Sequence, residues 1–439
     1  MAGRRTVADR LARALGAVLG TTELPVRLRG WDGSISGPAG APVIAVHSRR
    51  ALRRMVWSPG QLGLGRAYVA GEIDVEDDVF ATFSALRTAG RLNQEQQASP
   101  ATWRERLALL GTALRLGAIG PEPAPPAEEA DLGRIGGRHS RRRDAAAIAH
   151  HYDVGNDFYE LVLGPSMVYS CAYFEQVPSP TFTLEDAQRA KLELVAHKLG
   201  LGPGVRLLDV GCGWGSFVIH AAREYGVSAV GVTLSEEQAT YARDRVESMG
   251  LSDRVEIRVQ DYRDVPDGPF DAIASIGMAE HVGLSQLGEY ADRLHSLLSP
   301  GGRVLNHAIS RRPGPPGDPH GDKTSFIDRY VFPDGELQPL STIVEVLEAA
   351  GLEVRDVESL REHYADTLRA WVANLEQNWD KAVQLSSAGR VRVWRLYMAG
   401  SALGFQSNRL GVNQVLAVRP GPGGASGLPR TRSELLAVP

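Results

Sequence analysis

From about residue 185 to residue 310 the chain alternates helix-type and strand-type segments over short connections, and nothing else in the sequence restricts the fold as much. LEDAQRAKLELVAHKLGL, SFVIHAAREYG, EEQATYARDRVESMGL and LGEYADRLHSLLSPGG carry apolar residues at helical spacing. VRLLDVG, SAVGVTL, RVEIRVQDY, FDAIASIG and RVLNHAIS are short apolar runs that read as strands. Such alternation implies a mostly parallel sheet covered by helices on both faces, an α/β fold. A last strand candidate, NQVLAVR, follows a helical stretch and is expected as an antiparallel hairpin at the sheet edge.

The first strand of this series runs into Asp209-Val210-Gly211-Cys212-Gly213-Trp214-Gly215. Glycines fit a turn where the backbone bends sharply and approaches a ligand with no Cβ in the way. Dinucleotide enzymes use a related G-x-G-x-x-G, with an acid closing the second strand. Here the acid precedes the glycines, and the second strand ends Gly231-Val232-Thr233-Leu234. The D-x-G-x-G-x-G spacing is instead similar to that of methyltransferases using S-adenosylmethionine (SAM). Cys212, inside the turn, reads as packing beneath the cofactor, with a reactive thiol at a helix start as the alternative.

At 439 residues the chain is long enough for two domains, and its 43% hydrophobic and 23% charged residues exclude global disorder. No apolar run reaches the ~18 residues of a membrane span. The start, MAGRRTVADRLARALGAVLG, has Arg10 and Arg13 inside its apolar stretch and no cleavage-type ending, which argues against a signal peptide. Two cysteines, Cys171 and Cys212, exclude a disulfide framework and a cysteine-rich zinc site, so a reducing cytoplasm and no metal are expected. The net charge of −4 argues against a nucleic-acid partner. Residues 1–60 nevertheless hold ten Arg against three acids, a local +7. Within them, Val7, Leu11, Leu15, Val18 and Leu19 make one apolar helix face. Two readings stay open: a basic amphipathic helix on an anionic membrane, or a helix packed on its own domain. PVRLRGW and APVIAVH read as strands, giving a small α+β domain over residues 1–118. Residues 119–143 read as a Pro-, Gly- and charge-rich linker, 144–420 as the α/β domain, Rossmann-like and catalytic by its resemblance to SAM-dependent methyltransferases, and 421–439 as a flexible tail.

Further segments go beyond a generic fold of this class: His150-His151-Tyr152-Asp153-Val154-Gly155-Asn156-Asp157-Phe158-Tyr159, then Tyr169-Ser170-Cys171-Ala172-Tyr173-Phe174, Glu280-His281-Val282-Gly283, Asn306-His307-Ala308-Ile309 and His363-Tyr364. Together, in this order, they resemble the cyclopropane-fatty-acyl-phospholipid synthase family, over roughly residues 142–419. GLGRAYVAGEIDVEDDVF resembles the N-terminal domain of its two-domain bacterial members. The resemblance implies SAM as methyl donor and a bound bicarbonate ion. It implies an ion site of Cys171, Glu280, His307, Ile309 and Tyr364. Tyr169, Ser170, Gly211, Gly213, Thr233, Gln238, Asp261 and Tyr262 would line the SAM site, together with Asp209 and Gly215 of the turn. Singly, each of the five ion-site residues has an ordinary reading, such as a surface acid, a satisfied interior histidine or a packed tyrosine; occurring in family order, they read as a site.

The implied chemistry suits these residue types. An alkene is a weak nucleophile, so the methyl comes from a sulfonium held at attack distance. The acyl cation that results would be stabilised by aromatic faces, for which Tyr152, Tyr173 and Phe174 are candidates. Bicarbonate, oriented by His, Tyr and a carboxylate, then takes a proton from the new methyl. Ring closure gives a cyclopropane; a prior hydride shift gives a methylene branch. LGPSMVYSCAYF and the Arg-rich composition resemble the actinobacterial branch-forming members, which make a 10-methylene chain from oleoyl phospholipid that a separate flavin- or NADPH-dependent reductase saturates. Two positions depart from that pattern: Ala146, where those members carry an acid, and Ala279, where many synthases carry an aromatic residue. The substrate implies peripheral attachment to an anionic membrane, and the resemblance implies a homo-oligomer. A non-catalytic lipid carrier and a methyltransferase for RNA or small molecules are the competing readings. The intact glycine turn opposes the first, and the acidic catalytic half opposes RNA. Tyr397 and Phe405 sit at helical spacing and read as core.

Overall fold

The structure is a computed structural model that describes residues 5–19, 21, 23–95, 111–130, 143, 154–313 and 326–436. Tyr152 and Ala146 lie outside the described residues. Two units are distinguished. The first comprises Met1–Glu129 with two later pieces, Thr324–Val331 and Ser387–Leu403; the second comprises the rest.

In the first unit, β1 (Arg27–Arg29), β2 (Ile35–Ser36), β3 (Val43–Val46) and β4 (Ile73–Val75) form a sheet ordered β2-β1-β3-β4. Helices α1 (Val7–Leu19), α2 (Arg49–Trp57), α3 (Gln61–Val69) and α4 (Val79–Glu95) accompany it. Leu11 of α1 is buried in one core with Leu24, Val26, Leu28, Val46 and Ala67, and Val7, Leu15 and Leu19 pack against that core. The apolar stripe of α1 is therefore used inside its own unit, and its arginines are left to meet whatever lies outside. A single boundary near residue 118 does not describe this unit, because polar anchors bring later segments into it. Arg66 holds Glu129 through two hydrogen bonds of 2.7 Å, and Tyr330 donates to the same carboxylate at 3.0 Å. Arg392 pairs with Asp74 at 2.7 Å and Arg395 donates to the Tyr68 hydroxyl at 2.9 Å.

In the second unit a seven-stranded sheet runs β10-β11-β9-β8-β5-β6-β7. Its strands are β5 (Arg206–Val210), β6 (Ser228–Thr233), β7 (Val255–Val259), β8 (Phe270–Ile276), β9 (Leu298–Arg311), β10 (Glu353–Ser359) and β11 (Leu410–Val418). Neighbours from β7 to β9 pair in parallel, whereas β11 pairs antiparallel with both β9 and β10. The helices are α5 (Asn156–Leu163), α6 (Leu184–Leu199), α7 (Ser216–Tyr225), α8 (Glu236–Ser248), α9 (Ala279–Val282), α10 (Leu287–Leu297), α11 (Leu340–Ala349), α12 (Arg361–Gln377), α13 (Trp379–Leu385) and α15 (Arg432–Leu435), whereas α14 (Ala388–Gln406) belongs to the first unit as far as Leu403. Strand alternation splits the core in two. Leu207, Ala274 and Leu305 face α6, α7 and α8, while Leu208, Ile273 and Val304 face α10 and α11.

Two expectations are corrected here. NQVLAVR does pair antiparallel near the sheet edge, but as an interior strand, because β10, distant in sequence, covers it; β10 escapes a search for buried runs since its residues are half-buried or exposed. The stretch after residue 420 is not a loose tail over its described part, since Arg432 of α15 pairs with Asp356 at 3.0 Å and Glu358 at 2.8 Å.

Candidate active site

A cavity opens at the carboxyl ends of β5 and β6, where an open α/β sheet places ligands. The turn after β5 makes its floor: Gly211, Gly213 and Gly215 have φ of +82°, +53° and +79°, which side chains with a Cβ rarely adopt. Nine of the ten residues assigned to the cofactor line this cavity: Tyr169, Ser170, Asp209, Gly211, Gly213, Thr233, Gln238, Asp261 and Tyr262. Gly215 does not; it caps α7, and a Cβ there would lie 3.1 Å from Ala242. The Thr233 hydroxyl donates to Gln238 Oε1 at 2.9 Å, which leaves the amide nitrogen free to face the glycine turn, 4.0 Å from where a Cβ on Gly213 would stand. Cys212 packs under the turn so closely that a Cβ on Gly231 would meet its sulfur at 2.9 Å. Burial holds its thiol well above the ordinary range, so the packing reading stands and a reactive thiolate does not.

Two buried charges face each other across this floor. Asp209 has an oxygen, Oδ1, with no hydrogen-bond partner among the described residues, and burial pushes its carboxyl up to about 7 against the pull of Lys191. Lys191, on α6, is 1% exposed and donates to Ser170 Oγ at 3.0 Å. Burial brings its ammonium down to about 8, against the pull of Cys171 and Asp209. An orphaned carboxylate oxygen, an oriented amide and a glycine floor together fit the polar groups of a nucleoside-like cofactor.

The five ion-site candidates do not line this cavity but adjoin it along the sheet. Cys171 follows Ser170 in the chain, and its thiol lies 3.5 Å from the Leu360 carbonyl, which also accepts the Tyr364 N–H at 3.1 Å. Leu360 N–H reaches Val412 O at 2.9 Å, and Val412 pairs with Ile309 between β11 and β9. Ile309 N–H donates to Glu280 Oε1 at 2.7 Å. The His307 carbonyl accepts the Gly277 N–H at 2.8 Å, next to the cavity wall. Glu280 Oε2 and His307 Nε2 are buried, and neither has a hydrogen-bond partner among the described residues. Burial pushes the Glu280 carboxyl up to about 7 and, with Lys191 and Lys198, holds the His307 imidazole down at about 3. A neutral imidazole on β9 and a buried carboxyl held by the backbone of the same strand thus each keep one polar atom left over among the described residues.

Tyr173 and Phe174 are placed elsewhere. Their rings pack on His363 at 5.0 and 6.5 Å, and His363 Nδ1 accepts the Phe174 N–H at 3.0 Å. The aromatic groups that run from the cavity to the ion-site candidates are Tyr169, Trp371 and Tyr364, with the Phe405 ring tilted against Tyr364 at 4.7 Å. Sequence reading missed Trp371 and Lys191, and took Phe405 for plain core. Helical spacing offered one signal, because Tyr364, Thr367 and Trp371 stand at i, i+3 and i+7 on α12.

Comparison with known proteins places this arrangement. A family model described as mycolic acid cyclopropane synthetase matches residues 139–415. A probable fatty acid methyltransferase of Mycobacterium tuberculosis, Rv3720, is 41% identical over 429 residues, covering 95% of this chain and 97% of its own. The tuberculostearic acid methyltransferase UfaA1 of the same organism is 34% identical over 436 residues, covering 96% and 93%. Among solved structures, the mycolic acid cyclopropane synthase CmaA1 complexed with SAH and CTAB superposes with a TM-score of 0.57 at 35% identity, covering 62% of this chain and 97% of that one.

Proposed function

Since the chain belongs to the mycolic acid cyclopropane synthetase family and is a SAM-dependent methyltransferase acting on fatty acid or lipid substrates, we propose that it methylates the cis double bond of an oleoyl chain in phospholipid and releases a 10-methylene product. The observation that carries the ion-assisted mechanism is the pair of buried, unpartnered atoms, Glu280 Oε2 and His307 Nε2. Bicarbonate fits them: its oxyanion accepts from an imidazole N–H while its hydroxyl donates to a carboxylate. When bound, SAM supplies an electrophilic methyl and bicarbonate supplies a base.

The chain's own residues arrange the rest. Asp209, the Gln238 amide and the glycine turn would orient the cofactor from the sheet end. Tyr169, Trp371, Tyr364 and Phe405 pack ring on ring from the cavity wall toward the ion-site candidates, and such rings would suit stabilising a cation without reacting with it. The alkene's π pair forms the new carbon–carbon bond as the methyl leaves sulfur, which puts the positive charge on the neighbouring carbon. A hydride shift carries that charge to the methyl-bearing carbon. Loss of a methyl proton to the base then leaves the methylene branch, which a flavin- or NADPH-dependent reductase would saturate. Ring closure from the same cation is the second reading, favoured by the cyclopropane synthases among the relatives. The full-length relatives named for fatty acid and tuberculostearic acid methylation favour the branch.

Attachment to an anionic bilayer would use the Arg-rich first unit. Arg53 and Trp57 of α2 sit beside Gly117 and Gly120, near the exposed Leu114 and Ile119. No helix among the described residues is long and apolar enough to cross a membrane. The deciding experiment expresses the chain with oleate in a bacterium lacking its own cyclopropane synthase and takes proton NMR of the extracted methyl esters. Vinylidene protons support the branch. Upfield ring protons support the cyclopropane, and unmodified oleate from folded protein refutes both.

A further inference from the structure

His307 owes its orientation to a string of buried polar groups that the mechanism above leaves unused. It stands on β9 directly opposite Gln414 of β11, so the two side chains share a sheet face. Gln414 is fully buried, and its Nε2 lies 3.3 Å from His307 Nδ1. Which end of the amide faces the imidazole is decided from the other side. Lys198, at the last turn of α6 and also fully buried, places Nζ 2.9 Å from Gln414 Oε1. An ammonium only donates, so the amide oxygen must face it and the NH2 group must face His307. Nδ1 therefore has to accept, and the one proton of a neutral imidazole sits on Nε2. The ammonium is itself held: Glu358 Oε2 is 2.5 Å and Asp356 Oδ2 is 3.2 Å away, and Arg432 pairs with both acids from the outer side.

We propose that Lys198 and Gln414 are positioning residues that lock His307 as the Nε2–H tautomer, so that the unpartnered Nε2 is a hydrogen-bond donor to an oxyanion ligand. The identity of that ligand as bicarbonate rests on the function proposed above; the lock does not. With the other tautomer, Nε2 would present a lone pair to the anion, and the site would repel what it is meant to hold. Lys198 is also one of only four lysines among 48 basic residues. A compact, three-donor ammonium serves this junction of two acids and an amide better than a planar guanidinium would.

The test is heteronuclear NMR of the full-length protein labelled with ring-15N histidine. His307 is identified by the signal missing from His307→Gln, or from His307→Asn if the first does not fold. The wild-type protein is expected to show a pyrrole-type Nε2 and a pyridine-type Nδ1. Gln414→Glu offers Nδ1 a carboxylate in place of a donor, and is expected to move the proton to Nδ1 or to protonate both nitrogens. Its methylation rate, titrated with sodium bicarbonate on oleoyl-phospholipid vesicles, is expected to fall roughly tenfold or more with SAM affinity unchanged. A pyridine-type Nε2 in wild type, or an unchanged tautomer in Gln414→Glu, overturns the lock. A wild-type Nε2–H signal with a rate indifferent to added or depleted bicarbonate leaves the lock standing and removes bicarbonate as the ligand.

Discussion

Lys191 and Lys198 lie seven residues apart on one helix, both almost wholly out of solvent, yet the regions they serve are built on opposite terms. At the antiparallel end of the sheet, Lys198 meets two carboxylates and an amide, and an arginine closes the group from outside. Beside the cavity, Lys191 has one hydroxyl and, among the described residues, no carboxylate within ion-pair distance; Asp209 and His307, which feel its charge, and Glu280 near the same sheet end each keep a polar atom without a partner among those residues. Burying charge without pairing it is costly, so a fold tolerates it where something else completes the pairing. Full pairing at one end fixes side chains in place; incomplete pairing at the other leaves positions for ligands.

Removing the lysine at each end should break the symmetry of the helix in opposite directions. Lys198→Met leaves Asp356 and Glu358 facing each other with Arg432 alone, and should lower stability by about 3 kcal/mol, read as a fall in the urea midpoint. Lys191→Met should leave the protein as stable as before, or more stable by up to about 2 kcal/mol, because a buried ammonium brought down to about 8 is a net burden. Below pH 8 that lysine is charged in both folded and unfolded chains, and the folded state carries the full penalty. Between about 8 and its unfolded 10.5 only the unfolded chain keeps the proton, so stability contributed by this group rises with pH. The variant should lose that rise. Equal destabilisation by the two substitutions would show that the two ends do not differ in the way described.

Glu280 sharpens the comparison with the opposite sign. Its carboxyl, pushed up to about 7 from 4.5, holds a proton in the folded state that the unfolded chain has released, so its stabilising share is complete below 4.5 and is lost as pH rises through 7. If the ionised carboxylate is what accepts from the ligand hydroxyl, the methylation rate should fall about tenfold per pH unit below that midpoint. Glu280→Gln should abolish this acid limb, flatten the stability profile between 4.5 and 7, and slow the reaction at pH 7.5. A variant that is slow but keeps the same acid limb would assign the titration to another group.

How far these regions could be read from the sequence follows from how each is built. The cavity was legible because its recognition lies in local backbone: Asp209-Val210-Gly211-Cys212-Gly213 turns where its own glycines make it turn. The parallel strands were legible because they are buried on both faces and read as unbroken apolar runs. The antiparallel end was not, because β10 is half-buried and its acids mean nothing until Lys198 stands between them. Lys198, Gln414 and His307 lie on α6, β11 and β9, and no spacing along the chain links them. For the same reason, Phe405 had no local mark to distinguish it from core, and Trp371 had only its helical spacing from Tyr364. Tyr173 and Phe174, candidates for facing the acyl cation, pack their rings on His363, a contact between distant segments that no spacing along the chain announces.

The smallest effect expected tests whether orientation by a neighbour, argued for Gln414, operates at the cavity end as well. There the Thr233 hydroxyl plays the part of Lys198, donating to Gln238 Oε1 and turning the amide nitrogen outward. Threonine can also accept, and its Oγ1 takes the Ser235 N–H at 3.3 Å, so it constrains the amide less strictly than an ammonium does. Thr233→Val keeps the β-branched shape in β6 but loses the donor, and should weaken SAM binding by about 1 kcal/mol, a few-fold in Kd. Trp214 lines the cavity, so its fluorescence can report the titration. Thr233→Ser, which restores the hydroxyl without the methyl, should recover most of the affinity. Loss of binding in both variants would mean that Thr233 matters through packing in the strand, and that amide orientation is a device of the antiparallel end alone.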